Sequence, residues 1–174
     1  MSIDDDIAFL ERVPMLAQLG ESALRILAIG AESYSVTEGE TLFAPGESAD
    51  CAYVVQQGSF VVQPEAANGI ESIAEPGSLL SEPALLIETP RRATATAQED
   101  SIVLRISRAM FLKMLESNPE AAQRLRTLFA SRADQLAREA ITAVRAGLAG
   151  AMASEDTPRD PLPCVKKTSR SSAV

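Results

Sequence analysis

Two hydrophobic rhythms alternate along this chain. At the start Asp4, Asp5 and Asp6 precede Ile7, Phe9 and Leu10, the pattern of a short helix with acidic residues in its first turn, which Pro14 stops. A brief turn covers Met15 to Leu19, and Ala23, Leu24, Leu27 and Ala28 then recur at helical spacing between Glu21 and Ala31. From Glu32 to Ile106 the rhythm shortens to alternating or apolar runs cut by Gly, Pro, Asn and Asp, which predicts antiparallel strands. They fall near Ser33–Val36, Thr41–Phe43, Ala52–Gln56, Ser59–Gln63, Glu71–Ala74, Arg92–Ala97 and Ser101–Arg105. Turns at Glu38-Gly39, Pro45-Gly46, Gln57-Gly58, Asn68-Gly69 and Pro76-Gly77 each supply a glycine for a positive φ. Tyr34 and Tyr53 read as strand core.

The helical rhythm returns at Ser107, an N-cap for a helix through Met110, Phe111, Met114 and Leu115 that Asn118-Pro119 interrupts. A long helix follows from about Glu120 to Met152, with Leu125, Leu128, Phe129, Leu136, Ala140, Val144 and Leu148 along one face. Such a helix outruns a small roll, so its far half is expected to pack on a second copy. The organisation is therefore an N-terminal helical segment over 1–31, a β-roll over 32–106, C-terminal helices over 107–152 and a disordered tail over 153–174. The fold class is α+β, built on an antiparallel β-roll of jelly-roll type.

Composition narrows the chemistry. The 174 residues suffice for one domain with a real core, and a net charge of −8 argues against nucleic-acid binding as the main task. Histidine is absent, which removes the usual acid–base residue and most zinc or non-haem iron sites, so no metal is expected and an enzyme is not. Cys51 and Cys164 lie far apart and form no CxxC motif. No apolar run approaches the roughly 18 residues of a spanning helix, and the acidic start is no signal peptide, so the expected place is the cytoplasm, away from membranes. Lys166, Lys167 and Arg170 form too short a basic cluster to change this.

The densest chemistry sits in Gly77–Ala93, GSLLSEPALLIETPRRA. A short helical turn from Glu82 through Pro83, Ala84, Leu85 and Leu86 offers backbone N–H groups to an anion, and the Arg91 guanidinium can neutralise it. Glu82 would repel a phosphate and suits a sugar hydroxyl instead. The combination points to a nucleotide.

These residues give the chain a resemblance. Gly39-Glu40-Thr41-Leu42-Phe43, Pro45 to Asp50, Tyr53-Val54-Val55 with Gly58 and Val61, and above all Gly77–Ala93 resemble the cyclic nucleotide-binding domains of catabolite activator protein and protein kinase A regulatory subunits, over about Ile3 to Ala140. In that family Gly77–Ala93 would be the phosphate-binding cassette. The resemblance implies Glu82 on the ribose 2′-hydroxyl, Arg91 on the cyclic phosphate, and the Ala84 and Ala93 amides as phosphate donors. Three positions depart from the pattern: Ser81 replaces a glycine, Pro83 has no N–H, and Arg92 stands where a Ser or Thr can help choose the base. What it implies is a non-enzymatic sensor for cAMP, ahead of cGMP, that signals through its C-terminal helices to an unidentified protein effector and dimerises through the long helix. The helix-turn-helix that follows in the activators is expected to be missing. The competing expectation is a roll that has lost its ligand and serves as a dimeric scaffold. An enzyme of the cupin type would need metal-binding histidines.

Overall fold

The computed structural model describes residues 2–153, with side chains through residue 147. Three helices open it: α1 (Ile3–Leu10), α2 (Pro14–Ala17) and α3 (Glu21–Gly30). A reciprocal capping box starts α1: the Ser2 hydroxyl accepts from the Asp5 amide at 3.3 Å while the Asp5 carboxylate accepts from the Ser2 amide at 3.0 Å. Pro14 occupies the first turn of α2, where its missing N–H costs nothing. Proline thus begins a helix here as well as ending the expectation of one.

Ten strands follow: β1 (Glu32–Val36), β2 (Thr41–Phe43), β3 (Ser48–Ala49), β4 (Cys51–Gln57), β5 (Phe60–Pro64), β6 (Ser72–Ala74), β7 (Leu79–Leu80), β8 (Thr89–Pro90), β9 (Ala93–Ala97) and β10 (Ser101–Ser107). They pair antiparallel in two four-stranded sheets, β1-β10-β4-β7 and β2-β9-β5-β6, with β3-β8 as a separate two-stranded ladder. The period of two divides the first sheet cleanly. Ala52, Val54, Leu104 and Ile106 face the helices and join Leu10, Leu24, Leu27 and Phe111 in one core. Val55 and Val103, one residue out of step, face the roll interior and join Val36, Phe43, Phe60 and Leu80 in a second.

All seven strands expected from the sequence are present, while β3, β7 and β8, each two residues long, lacked any periodic signal. Gly58 shows why its turn needs glycine: φ is +79°, and a Cβ there would stand 2.9 Å from the Ser101 Cα. Gly69 corrects the expectation of a positive φ at every turn. Its requirement is space, since a Cβ would meet the Pro64 Cβ at 2.5 Å. Tyr34 is likewise no core residue: it is exposed, and its hydroxyl donates to Glu32 at 2.8 Å.

The chain ends in α4 (Arg108–Ser117), capped by the Ser107 hydroxyl accepting from the Met110 amide at 3.3 Å, and α5 (Pro119–Ala153). Two compact units divide after Ala130. Within the first, the opening turns of α5 bury Ala121 and Leu125 in the helix-side core. Within the second, the described part of α5 carries exposed Leu136, Ile141 and Val144. The tail expected beyond Ala153, with Cys164 and the Lys166, Lys167, Arg170 cluster, lies outside the described residues. Among the described residues no helix is long and apolar enough to cross a membrane.

Phe111 is fully buried at the junction of α4 and the first sheet. Phe111→Ala is expected to cost about 3 to 5 kcal/mol in denaturant unfolding, the range for a phenylalanine cavity that cannot collapse. A cost below about 1 kcal/mol would mean that the helix-side core does not depend on α4.

Candidate functional site

The Gly77–Ala93 stretch runs from β7 through a 3-10 turn, Glu82–Leu85, to β8 and the start of β9. Ser81 enters that turn at φ 61°, ψ 40°, and among the described residues it is the non-glycine residue with positive φ. The path of the chain therefore demands the left-handed conformation, and serine adopts it at a cost. Pro83 takes the start of the turn, and the Ala84 N–H donates back to the Ser81 carbonyl at 3.0 Å. Ala84 and Leu85 are fully buried, which ties the turn to the helix-side core.

Arg91 is the surprise. A loop arginine beside a proline is ordinarily exposed, yet this one is 4% exposed. Its backbone is fixed first: the Arg91 N–H donates to the Glu47 carbonyl at 2.8 Å, and its carbonyl accepts from Gly46 at 2.9 Å. The side chain then turns inward. Nη1 donates to the Cys51 carbonyl at 2.9 Å and Nη2 to the Cys51 Sγ at 3.3 Å. The guanidinium carbon lies 4.6 Å from the centre of the Phe43 ring and 5.4 Å from that of Tyr53, two rings stacked 6.1 Å apart. Desolvated cation–π contacts of this kind are each worth about 2 kcal/mol. Nε has no hydrogen-bond partner, and among the described residues it is the buried side-chain polar atom left so.

Beside this arginine opens a cleft of about 660 Å³, within the range that holds small molecules. Its wall is largely apolar, with Phe43, Ile73, Leu80 and Ile87, and its polar groups include Ser81, Thr89 and Arg92. Of the six residues singled out in the sequence, Ser81, Ala84, Arg92 and Ala93 line it. Glu82 and Arg91 stand outside that lining, Glu82 half-buried and engaged with a neighbour. Arg92 is exposed. The bed under Arg91, made of Phe43, Cys51 and Tyr53, escaped sequence reasoning because strand periodicity marks those positions only as core. Among the described residues no group of three acidic or cysteine side chains is placed to hold a metal.

Charges surround the bed. Arg105 donates to Glu32 at 3.2 Å and to Asp50 at 3.1 Å, and Arg108, first residue of α4, donates to the carbonyls of Ala49 and Ile87 at 3.0 Å each. Asp50 is held below the ordinary carboxylate value, chiefly by a hydrogen bond with the Cys51 thiol and, against some desolvation, by Arg105 and Arg91. Burial pushes the Tyr53 hydroxyl up to about 12, helped by its hydrogen bond with Cys51.

Known proteins are similar to this chain in sequence and fold. The cyclic nucleotide-binding domain family matches residues 34–118, from β1 to the end of α4. A cyclic nucleotide-binding-like protein from Brucella abortus is 38% identical, with a TM-score of 0.57, over 65% of this chain and 99% of its own. The chain belongs to the cyclic nucleotide-binding domain family. The N-terminal domain of a transcriptional regulator from Streptomyces coelicolor is 27% identical with a TM-score of 0.68, over 75% of this chain and 94% of that one. A cAMP-dependent protein kinase regulatory subunit of Yarrowia lipolytica is 32% identical over 62% of this chain and 28% of its own length. The chain spans about a quarter of the length of the curated relatives it matches. As a cyclic nucleotide-binding domain it holds the whole of Gly77–Ala93, the Arg91 bed and Arg108 inside the matched segment.

Two measurements check this geometry. Ser81→Gly removes the left-handed penalty and is expected to raise unfolding stability by about 0.5 to 1 kcal/mol after glycine's entropy is counted, whereas Ser81→Val lowers it. A loss of stability in the glycine variant would contradict the positive φ. The Tyr53 phenol stays protonated in the folded protein to about pH 12 but ionises near its ordinary 10.0 when unfolded. Its contribution is therefore whole below pH 10 and lost as pH rises toward 12, and Tyr53→Phe is expected to flatten the alkaline fall of the denaturation midpoint. An unchanged slope would mean that the surroundings of Tyr53 do not hold its phenol protonated.

Proposed function

We propose that this chain is a non-enzymatic cyclic nucleotide sensor that takes cAMP ahead of cGMP and passes occupancy to its C-terminal helices. The observation that carries this reading is Arg91 Nε, a buried donor with no partner on a permanently charged group. Its Nη edge is engaged with Cys51, which leaves the Nε side of the fork for a second acceptor. A phosphate oxygen supplies that acceptor and the missing counter-charge together. Leaving such a donor unsatisfied costs about 1 to 3 kcal/mol, so occupancy is coupled to stability.

In this reading Arg91 takes the cyclic phosphate, the Ala84 and Ala93 amides flank it, and Glu82 accepts from the ribose 2′-hydroxyl. Ser81 and Arg92 border the ligand at the cleft. The apolar wall suits a planar base, and the likeness to the Yarrowia cAMP-dependent protein kinase regulatory subunit favours cAMP. Ala84 is already bonded to Ser81, so its part needs a bifurcated bond or a shift of the 3-10 turn.

Signalling through the C-terminal helices is supported by Arg108, which joins the start of α4 to Ile87 in the wall of the cleft. A ligand that shifts Ile87 biases α4, and the size of the effect is its differential affinity for the two states. Leu136, Ile141 and Val144, exposed along α5, suit a homodimer contact. The effector is a protein this chain does not name, and the place of action is the cytoplasm.

Titration calorimetry and thermal shift with cAMP and cGMP test the reading. Binding should raise the unfolding free energy by about 2.7 kcal/mol at a hundredfold excess of ligand over Kd. Arg91→Lys keeps the charge but loses the fork, and is expected to weaken binding about tenfold or more. Arg91→Ala is unsuitable because it strips the partner from a buried carbonyl and opens a hole beneath two rings. No heat and no shift with either nucleotide at millimolar concentration would leave the roll as a ligand-free scaffold, the reading that the deep burial of Arg91 favours.

A further inference from the structure

Arg91 has no carboxylate partner among the described residues, although one stands close by. Asp50 immediately precedes Cys51, the residue whose carbonyl and sulfur hold the Arg91 guanidinium. Its carboxylate is engaged instead by the Cys51 thiol and by Arg105 Nη2, the latter at 3.1 Å, and the same guanidinium holds Glu32 through Nη1 at 3.2 Å. The sheet explains why Arg105 is there: Glu32, Arg105 and Tyr53 are register partners across β1, β10 and β4, so they share one row with the ring that lies beside Arg91. The field of Arg91 also reaches Asp50 and helps hold its carboxyl ionised.

We propose that Arg105 is a positioning residue for the anion site: by occupying the Asp50 carboxylate it keeps Arg91 free of an internal counter-ion. This rests on the nucleotide reading above. A carboxylate on Arg91 would fill the Nε position and cancel the charge, and an incoming phosphate would have to displace it. Asp50 is the group placed to do so, being next to Cys51 in the chain, with a side chain 66% exposed rather than locked in the core. Glu32, on β1, gives Arg105 a second carboxylate and so holds its fork between that strand and the link from β3 to β4.

The test is a set of substitutions read by two signals, the cAMP affinity and the 15N NMR resonance of the Arg91 Nε–H. Arg105→Met keeps the stem and removes the charge. It is expected to weaken cAMP about tenfold and to shift the Nε–H signal as Asp50 closes on it. Adding Asp50→Asn to that variant should restore both signals, while adding Glu32→Gln should restore neither. Arg105→Lys, the milder change should the methionine variant fold poorly, is expected to lie between. Parent-like affinity and an unmoved resonance in Arg105→Met overturn the proposal, as does rescue by Glu32→Gln equal to that by Asp50→Asn. If the parent binds no cyclic nucleotide the sensor reading falls, and the Nε–H resonance alone still decides whether Arg105 keeps Asp50 from Arg91.

Discussion

Everything distinctive about this roll depends on a buried cation, Arg91, that has no carboxylate partner among the described residues. An arginine taken out of water needs compensation, and here it comes in three pieces: a carbonyl, a sulfur and the faces of two rings. None carries a full negative charge. The bed therefore holds the side chain rigid while leaving its charge and one donor unspent. Each piece belongs to a strand: Phe43 ends β2, and Cys51 and Tyr53 open β4. The two sheets meet under Arg91, and the site inherits their rigidity.

The turn opposite is the less comfortable half. Ser81 keeps the left-handed geometry that a glycine would adopt freely, and Pro83 makes the following 3-10 turn without donating a bond. Both facts concern the backbone, so the shape of the stretch survives the departures in its sequence. What changes is the cost of holding it and the number of amides it can present. Arg108 reaches the far end of the same stretch at Ile87, so strain in the turn, the wall of the cleft and the start of α4 belong to one bonded unit.

The period of two in Thr41–Phe43, Ala52–Gln56 and Ser101–Arg105 and the helical stripe through Phe111 and Met114 made the roll and its helices legible in the sequence. Strands of two residues were not, because two residues carry no period; Leu79–Leu80 and Thr89–Pro90 exist only through their partners. The Gly77–Ala93 stretch was legible as chemistry, and four of its six chosen residues line the cleft. Where the Arg91 side chain points was hidden, since it is set by the Cys51 carbonyl and the Phe43 and Tyr53 rings, on strands far earlier in the chain. Tyr34 and Tyr53 make the same point. Alternation cannot separate a tyrosine that covers an arginine from one that bonds a surface glutamate.

The central claim is that the free side of the Arg91 fork is a seat for a phosphate. A crystal structure of the chain with cAMP bound tests it most directly. The expected result is a phosphate oxygen about 2.8 Å from Arg91 Nε, with the bonds to Cys51 kept and Tyr53 and Phe43 still stacked beneath. A nucleotide whose phosphate rests on the exposed Arg92, with Arg91 Nε still unpartnered, would contradict it.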